Sequence, residues 1–359
     1  MLLIFGIILA VILIGTGGFF AFITHQINQI PKMTFKDMLS YTTKNNDKAL
    51  ITVGIIQNGE ARYTLYGKDG AILPQTEHIY EIGSISKTFT ASLLFKAIDE
   101  GKIRLDDTID KYLDLPAKDY YPPIKRLITH TSGYKKHYLE KPMVSNFFAG
   151  KNSFYRVPTE MLIERIGKID LKDRDYKFVY SNFGISVVGA VLSKVYETDY
   201  ATLINEYVQR DLDLNQTRIA NGPGDLNDYW TWAENDAYMP AGALLSTIGD
   251  MMKYAQNHMQ RLPSYLSDTH RILAEINATP ANYMKMNIHM DSIGAAWVMD
   301  ATNSIVWHNG GTSNFNTYLG FDVDKQIAVV VLSNLSPDYR IPATVMGIKL
   351  LTHMQTEKQ

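Results

Sequence analysis

The chain has 359 residues, 46% hydrophobic and 20% charged, with a formal net charge of −2, which describes a folded globular protein and excludes a disordered or fibrous one. With 35 basic against 37 acidic residues no cationic excess is left to neutralise a phosphate backbone, so nucleic acid is not an expected partner. The lack of cysteine removes disulfides, thiolate-bound zinc and thiol nucleophiles, and leaves the redox compartment open.

No side chain from Met1 to Ile23 is charged, and a helix of that length, about 35 Å at 1.5 Å per residue, would cross a hydrocarbon core. A cleavable signal would begin with basic residues and end in a small-x-small site. Met1 to Phe5 has no Lys or Arg, and no Ala-x-Ala follows. Residues 1–24 are therefore expected to be an uncleaved transmembrane anchor, in preference to a cleaved signal or a buried core helix. Lys32 and Lys36 follow the span, but long domains translocate largely regardless of charge. The expected location is the cell membrane, with a single N-terminal span and the body of the chain outside.

Residues 25–48 read as a linker and first helix, and 49–359 as the main domain. Leu50 to Tyr66 gives two strands joined by Asn58-Gly59, a pair suited to a two-residue hairpin turn. A helix opens near Ser84, carries Phe89, Leu93, Leu94, Ala97 and Ile98 at helical spacing, and stops at Gly101. From about 106 to 285 the pattern becomes helices and irregular loops. Val188, Val191, Leu192 and Val195 form one stripe, and Thr247 with Asp250 has the spacing of a capping box. Strands return over Ser292–Met299, Ile305–His308, Asn316–Phe321 and Ile327–Leu332, before a last helix around Ala343–Met354. The expected fold class is α/β (α+β): one antiparallel sheet built from both ends of the chain, flanked by terminal helices, with a large helical insertion.

Three short segments can carry chemistry. In Ser84-Ile85-Ser86-Lys87 the first and last residues share a helix face. An amine kept neutral by burial and by the positive helix end could take the hydroxyl proton. Alone, Ser-x-x-Lys is expected about once by chance in such a chain. Tyr180-Ser181-Asn182 precedes the Val188 helix. Its phenol could relay protons and its amide could hold substrate, although an exposed turn with a helix cap is the ordinary reading. His308-Asn309-Gly310-Gly311 follows the strand Ile305–Trp307, where glycines would let a ligand lie against the backbone; a glycine turn is the plain alternative. Neither His-Glu-x-x-His nor Gly-x-Ser-x-Gly occurs, which disfavours a metallohydrolase or an α/β-type esterase.

The three segments in this order resemble the penicillin-binding-protein and class C β-lactamase superfamily of serine hydrolases, the S12 peptidase group, whose β-lactamase/transpeptidase-like fold fits the expected architecture. Supporting segments are 81–83, 128–134, 178–184, 240–247 and 308–312, so the resemblance spans about Leu50 to Asn334. It implies Ser84 as nucleophile, Lys87 as general base and Tyr180 as proton shuttle. Asn182, His308, Gly310, Gly311 and Thr312 are implied to bind substrate, with the N–H groups of Ser84 and Gly311 as oxyanion hole. It implies no metal and no cofactor. The partner would be a small-molecule or cell-envelope substrate, a D-amino-acid (D-alanyl) peptide or ester, with β-lactams a further class; self-association is left open. The departure is His308, where many relatives carry Lys-Thr-Gly: an imidazole mostly neutral at pH 7 holds a carboxylate less well. His-x-Gly is similar to the motif of D-aminopeptidases and D-alanyl esterases, which makes efficient penicillin hydrolysis unexpected. His130 reads as loop support. The alternatives are a weak β-lactamase, a non-D-specific esterase, and a non-catalytic sensor of wall fragments or β-lactams.

Overall fold

The computed structural model describes residues 29–219 and 222–356. The helices used below are, in chain order, α1 Phe35–Thr43, α2 Ser86–Asp99, α3 Lys141–Phe148, α4 Asn182–Val195, α5 Ile248–Gln260 and α6 Ala343–Thr356. The strands are β1 Ile51–Gln57, β2 Glu60–Tyr66, β3 Ile72–Leu73, β4 Tyr80–Glu81, β5 Leu245–Ser246, β6 Ala274–Glu275, β7 Ser292–Ile293, β8 Val298–Asp300, β9 Ile305–Gly311, β10 Asn316–Asp322 and β11 Ile327–Ser333.

Asn58 and Gly59 turn β1 into β2 with Gln57 opposite Glu60, and both are left-handed, φ 55° and 79°, as a two-residue hairpin requires. β1 then pairs with the last strand, β11, with Ile51 opposite Ser333. This closes an antiparallel sheet in the order β3-β2-β1-β11-β10-β9-β8-β7-β6. Every residue of β11 is buried because both faces of the sheet are covered. Ile327, Val329 and Val331 pack with Met38 and Leu39 of α1 and Met346, Ile348 and Leu351 of α6. Ala328, Val330 and Leu332 face the opposite core with Phe89, Leu93 and Leu94 of α2, Val187 and Val188 of α4, and Met251 and Tyr254 of α5. The alternation is the period of two of a strand, and a continuous apolar run is what a doubly covered strand needs. α2 is buried on nearly all sides, and its hydroxyls are satisfied within that core, Thr90 by Tyr200 at 2.6 Å and Ser92 by Tyr254 at 3.0 Å.

Three expectations need correction. Among the described residues no helix is long and apolar enough to cross a membrane, so neither the N-terminal transmembrane helix nor the single-span membrane location is upheld; residues 1–24 lie outside the described residues. The strand expected over Ser292–Met299 is two short strands, since Gly294 N–H donates to the Trp297 carbonyl at 2.9 Å and Ala296 is left-handed, which folds the run into the β7–β8 hairpin. The helix expected near Ser84 is present, entered through a 3₁₀ turn, Gly83–Ile85, and α-helical from Ser86 to Asp99. At α5 only half a capping box forms. Thr247 accepts from Asp250 N–H, while the Asp250 carboxylate accepts from Gln216 N–H and the Thr217 hydroxyl.

Beneath the sheet, His258 and His270 are in contact, Nδ1 to Nε2 at 2.6 Å, between Trp297 and Phe321. Burial holds His258 well below its usual 6.5, with His270 a lesser influence, and pushes His270 down to about 3, with Arg261 a lesser influence. In the unfolded chain both titrate near 6.5, so as pH falls below that value the unfolded chain binds more protons and the fold loses stability down towards pH 3. Urea unfolding should therefore show stability declining between about pH 7 and about pH 4. His270→Gln, which keeps a partner for His258 but removes one titrating group, should lose less over that range; equal losses in both proteins would rule the pair out as a source.

Candidate active site

Ser84 sits on the 3₁₀ turn between β4 and α2 and is half-buried. That turn is pressed against the end of β9. Gly83 has φ 51°, and a Cβ there would lie 2.6 Å from Gly311 N; a Cβ on Gly310 would lie 1.9 Å from the Ile82 carbonyl oxygen. Both positions admit only glycine. The Thr317 hydroxyl donates to the Ile82 carbonyl at 3.0 Å, and Ile82 N–H donates to the Leu244 carbonyl at 3.0 Å, so the turn is clamped from both sides. The clamp brings the backbone of Ser84 and Gly311, expected as oxyanion donors, to the same corner of the fold.

One helical turn on, Lys87 is fully buried, with Nζ 2.8 Å from Ser84 Oγ and donating to the Ala241 carbonyl at 2.7 Å. Burial holds its pKa well below the ordinary 10.5, with Lys136 as a lesser, repulsive influence. The 240–244 segment is fixed to α2 by two further bonds, Thr90 Oγ1 to the Pro240 carbonyl at 2.7 Å and Leu244 N–H to Ser86 Oγ at 3.1 Å. A serine hydroxyl in contact with an amine that prefers to be neutral can give up its proton to it.

Tyr180 lies in the loop before α4, its ring centroid 4.9 Å from Lys87 Nζ. Burial raises its pKa above the usual 10, with a Ser84 hydrogen bond working against that shift, so the phenol keeps its proton. His130, also left-handed at φ 58°, holds this loop on both sides of the tyrosine. Its carbonyl accepts from Val179 N–H at 2.9 Å, its Nδ1 accepts from Ser181 N–H at 3.2 Å, and its ring lies 4.7 Å from that of Tyr180. The loop support read from the sequence thus falls on the Tyr180 segment itself. Ser181 caps α4 through Gly184 N–H at 2.9 Å. Asn182, the first residue of α4, has a buried Oδ1 with no partner among the described residues, an acceptor left over for something in the cleft.

His308 and Gly310 lie inside β9, which continues to Gly311; the glycine turn is therefore absent. His308 is buried, and Nδ1 is 2.6 Å from the Asn309 carbonyl, which can only accept, so Nδ1 carries the proton. Burial first and Lys87 second push its pKa down to about 3, and the imidazole is neutral across the physiological range. Thr312, expected to touch substrate, is buried with its hydroxyl donating to Glu81 at 2.5 Å.

Glu81 is the residue the sequence reading left without a role. It is buried, accepts from Thr312 and from Trp230 N–H at 2.5 Å, and burial pushes its carboxyl up to about 7 against those two donors. It joins the strand before Ser84, the residue after Gly311 and the 230 loop. The signal available in the sequence was one acid inside the apolar run Ile79–Ile82. Two cavities flank Ser84 and Tyr180. One, of about 410 Å³, is lined by Phe178, Tyr283, Trp307 and His308 among others, with no Lys, Arg, Asp or Glu among the described residues that line it. The other, of about 490 Å³, runs past Asn182, Phe147, Phe154 and Trp230, with Lys136 the single Lys or Arg among the described residues that line it.

A family model described as Beta-lactamase matches residues 44–345. Among curated proteins the chain is 24% identical over 353 residues to D-alanyl-D-alanine-carboxypeptidase/endopeptidase AmpH of Escherichia coli K12, covering 90% of this chain and 89% of that one. It is 21% identical over 302 residues to Protein flp of Staphylococcus aureus MW2, covering 77% of this chain and 56% of that one. Among solved structures it is similar to a beta-lactamase/D-alanine carboxypeptidase from Yersinia pestis, with a TM-score of 0.70 at 18% identity over 93% of this chain and 99% of that one. It is also similar to the octameric penicillin-binding protein homologue from Pyrococcus abyssi, with a TM-score of 0.70 at 20% identity over 96% and 78%. At these identities the structural likenesses speak for the fold. The family match over 44–345, on a sheet and helix arrangement of the kind those structures share, places the chain in the β-lactamase family, within the serine β-lactamase and penicillin-binding-protein superfamily.

Proposed function

We propose that the protein hydrolyses D-amino-acid, in particular D-alanyl, peptide or ester bonds of the cell envelope through an acyl-enzyme on Ser84. The observation that carries this reading is the 2.8 Å contact between Ser84 Oγ and the fully buried Lys87 amine. Ser84 Oγ attacks the carbonyl carbon as its proton passes to neutral Lys87. The oxygen that becomes negative is held by the N–H groups of Ser84 and Gly311, donors of a kind commonly worth about 3 kcal/mol each. Tyr180, still protonated, hands a proton to the departing nitrogen or oxygen and is replenished from Lys87. Water then attacks the serine ester by the reverse route, and Ser84 regains its proton as the acid product leaves.

The neutrality of His308 bears on the choice of substrate. Neither it nor any other residue of the 410 Å³ cavity offers a cation to a terminal carboxylate, which favours esters, amides and internal peptide bonds over substrates held by a free carboxylate. That the AmpH relative is named both carboxypeptidase and endopeptidase accords with internal bonds being within reach of this family. A non-D-specific esterase is the second reading, favoured by the apolar walls of both cavities.

A fluorophosphonate or a fluorescent penicillin should label Ser84, and Ser84→Ala should remove both the label and turnover, by about 10⁴-fold or more. Label that persists in Ser84→Ala would defeat the proposal. Because Lys87 acts as the neutral amine, kcat/KM should fall as pH drops through its pKa. Lys136→Met removes a repelling charge and should move that limb to higher pH; a limb that stays in place would separate it from Lys87. Glu81→Ala should slow acylation, up to about 100-fold, by freeing the Gly311 end of β9. Glu81→Gln can still accept from Trp230 N–H and donate to a turned Thr312 hydroxyl, and should retain most of the rate. Equal losses in the two variants would point to the charge instead of the positioning.

A further inference from the structure

Large apolar side chains gather beside the site in a way the proposed chemistry alone does not require. Of the exposed large hydrophobics among the described residues, Leu139, Val144, Phe147 and Phe148 fall within ten residues of one another, at 70%, 41%, 73% and 82% exposure. They are presented by a held element. Asn146 of α3 is buried and donates to the Tyr155 carbonyl at 2.6 Å, and Glu140 pairs with Arg165 at 2.7 Å. Leu139, Val144 and Phe147 line the same 490 Å³ cavity as Ser84, Tyr180 and Asn182, with Met143, Phe154 and Trp230 completing its apolar wall. Phe154 is stacked on Tyr238 at 4.3 Å, which holds that part of the wall in place, while Leu139 and Phe147 stand exposed to water.

Resting on the acyl-enzyme reading, we infer that one substituent of the scissile carbonyl is a bulky apolar group, a medium-length alkyl chain or an aromatic ring, seated in this cavity and covered by Leu139 and Phe147. The volume decides against a small group as the usual occupant. A cavity of about 490 Å³ lies in the range that encloses a ligand of drug size, and a D-alanyl methyl alone would leave most of it wet. Burying an alkyl chain there removes apolar surface from water on both partners, up to about fourfold in affinity for each fully buried methylene. The continuity of the patch with Ser84 is what assigns it to substrate instead of to a separate docking surface.

The test uses two ester series on the whole protein, both below their micelle concentrations. One varies the acyl chain from acetyl to octanoyl on p-nitrophenol, and the other varies the alkyl alcohol on a constant acetyl group. In one series kcat/KM should rise by about tenfold or more, chiefly through KM. The ratio of longest to shortest should collapse several-fold in Phe147→Ser and in Leu139→Ser, both surface substitutions that leave the core untouched. No rise in either series, or a rise that survives both substitutions, overturns the inference. Labelling of Ser84 by a small fluorophosphonate separates the two levels: label without chain-length preference removes only the apolar subsite, whereas no label and no turnover removes the hydrolase reading and the subsite together.

Discussion

Much of this fold can be understood as the means of keeping one amine uncharged beside one hydroxyl. A lysine in water carries a proton and cannot take another. To serve as a base near neutrality it has to be placed where the ammonium is costly, and burial disfavours the charged form by several pKa units. Lys87 meets that condition because α2 is enclosed by the sheet and by the surrounding helices. Its backbone partner, the Ala241 carbonyl, satisfies one N–H without supplying a negative charge. An aspartate at the same distance would restore the ammonium, which could take no proton from Ser84.

Enclosure of this kind demands a rigid surround. The Ser84 turn cannot drift, since Gly83 of the turn and Gly310 of β9 each lie closer to the other element than any side chain would permit, and the 240–244 segment is tied to α2 through Lys87, Thr90 and Ser86. His130 does the same for Tyr180, bonding the residues on either side of it. These contacts join parts of the chain that are remote in sequence, and each uses a backbone group as one partner. The geometry then depends on the fold more than on the rotamer of a flexible side chain.

The same distinction explains what could be read in advance. The sheet strands with strong two-residue alternation or continuous apolar runs were legible, as was the Asn58-Gly59 turn, because their signals are local. Ser84, Lys87, Tyr180 and Asn182 were legible as a pattern, and the folded chain brings them to one cleft. The plain alternative of a glycine turn after Trp307 could not be dismissed from the sequence, because β10 extends the ladder through Asn309, Gly310 and Gly311, a pairing that depends on a strand still to come. The break in Ser292–Met299 was missed since Gly294 and Ala296 reverse the chain inside an apolar run with no polar turn residue to mark it. Thr312 was assigned to substrate on motif position, yet its partner Glu81 lies far away in sequence. The role of Glu81 was invisible for the same reason.

Specificity in such a site is set by what the rigid apparatus leaves open. With His308 neutral and its Nδ1 committed to the Asn309 carbonyl, electrostatic attraction contributes little on that side. Discrimination there has to come from shape and from apolar contact. A free carboxylate entering the 410 Å³ cavity would lose its hydration without gaining a cation, a cost of several kcal/mol in an apolar surround, whereas an uncharged group would lose nothing comparable. The motif change from lysine to histidine therefore does more than weaken an attraction. Combined with burial, it would turn the leaving of water into a penalty for charged substrates and an advantage for apolar ones, so the proposed specificity follows from the walls of the site.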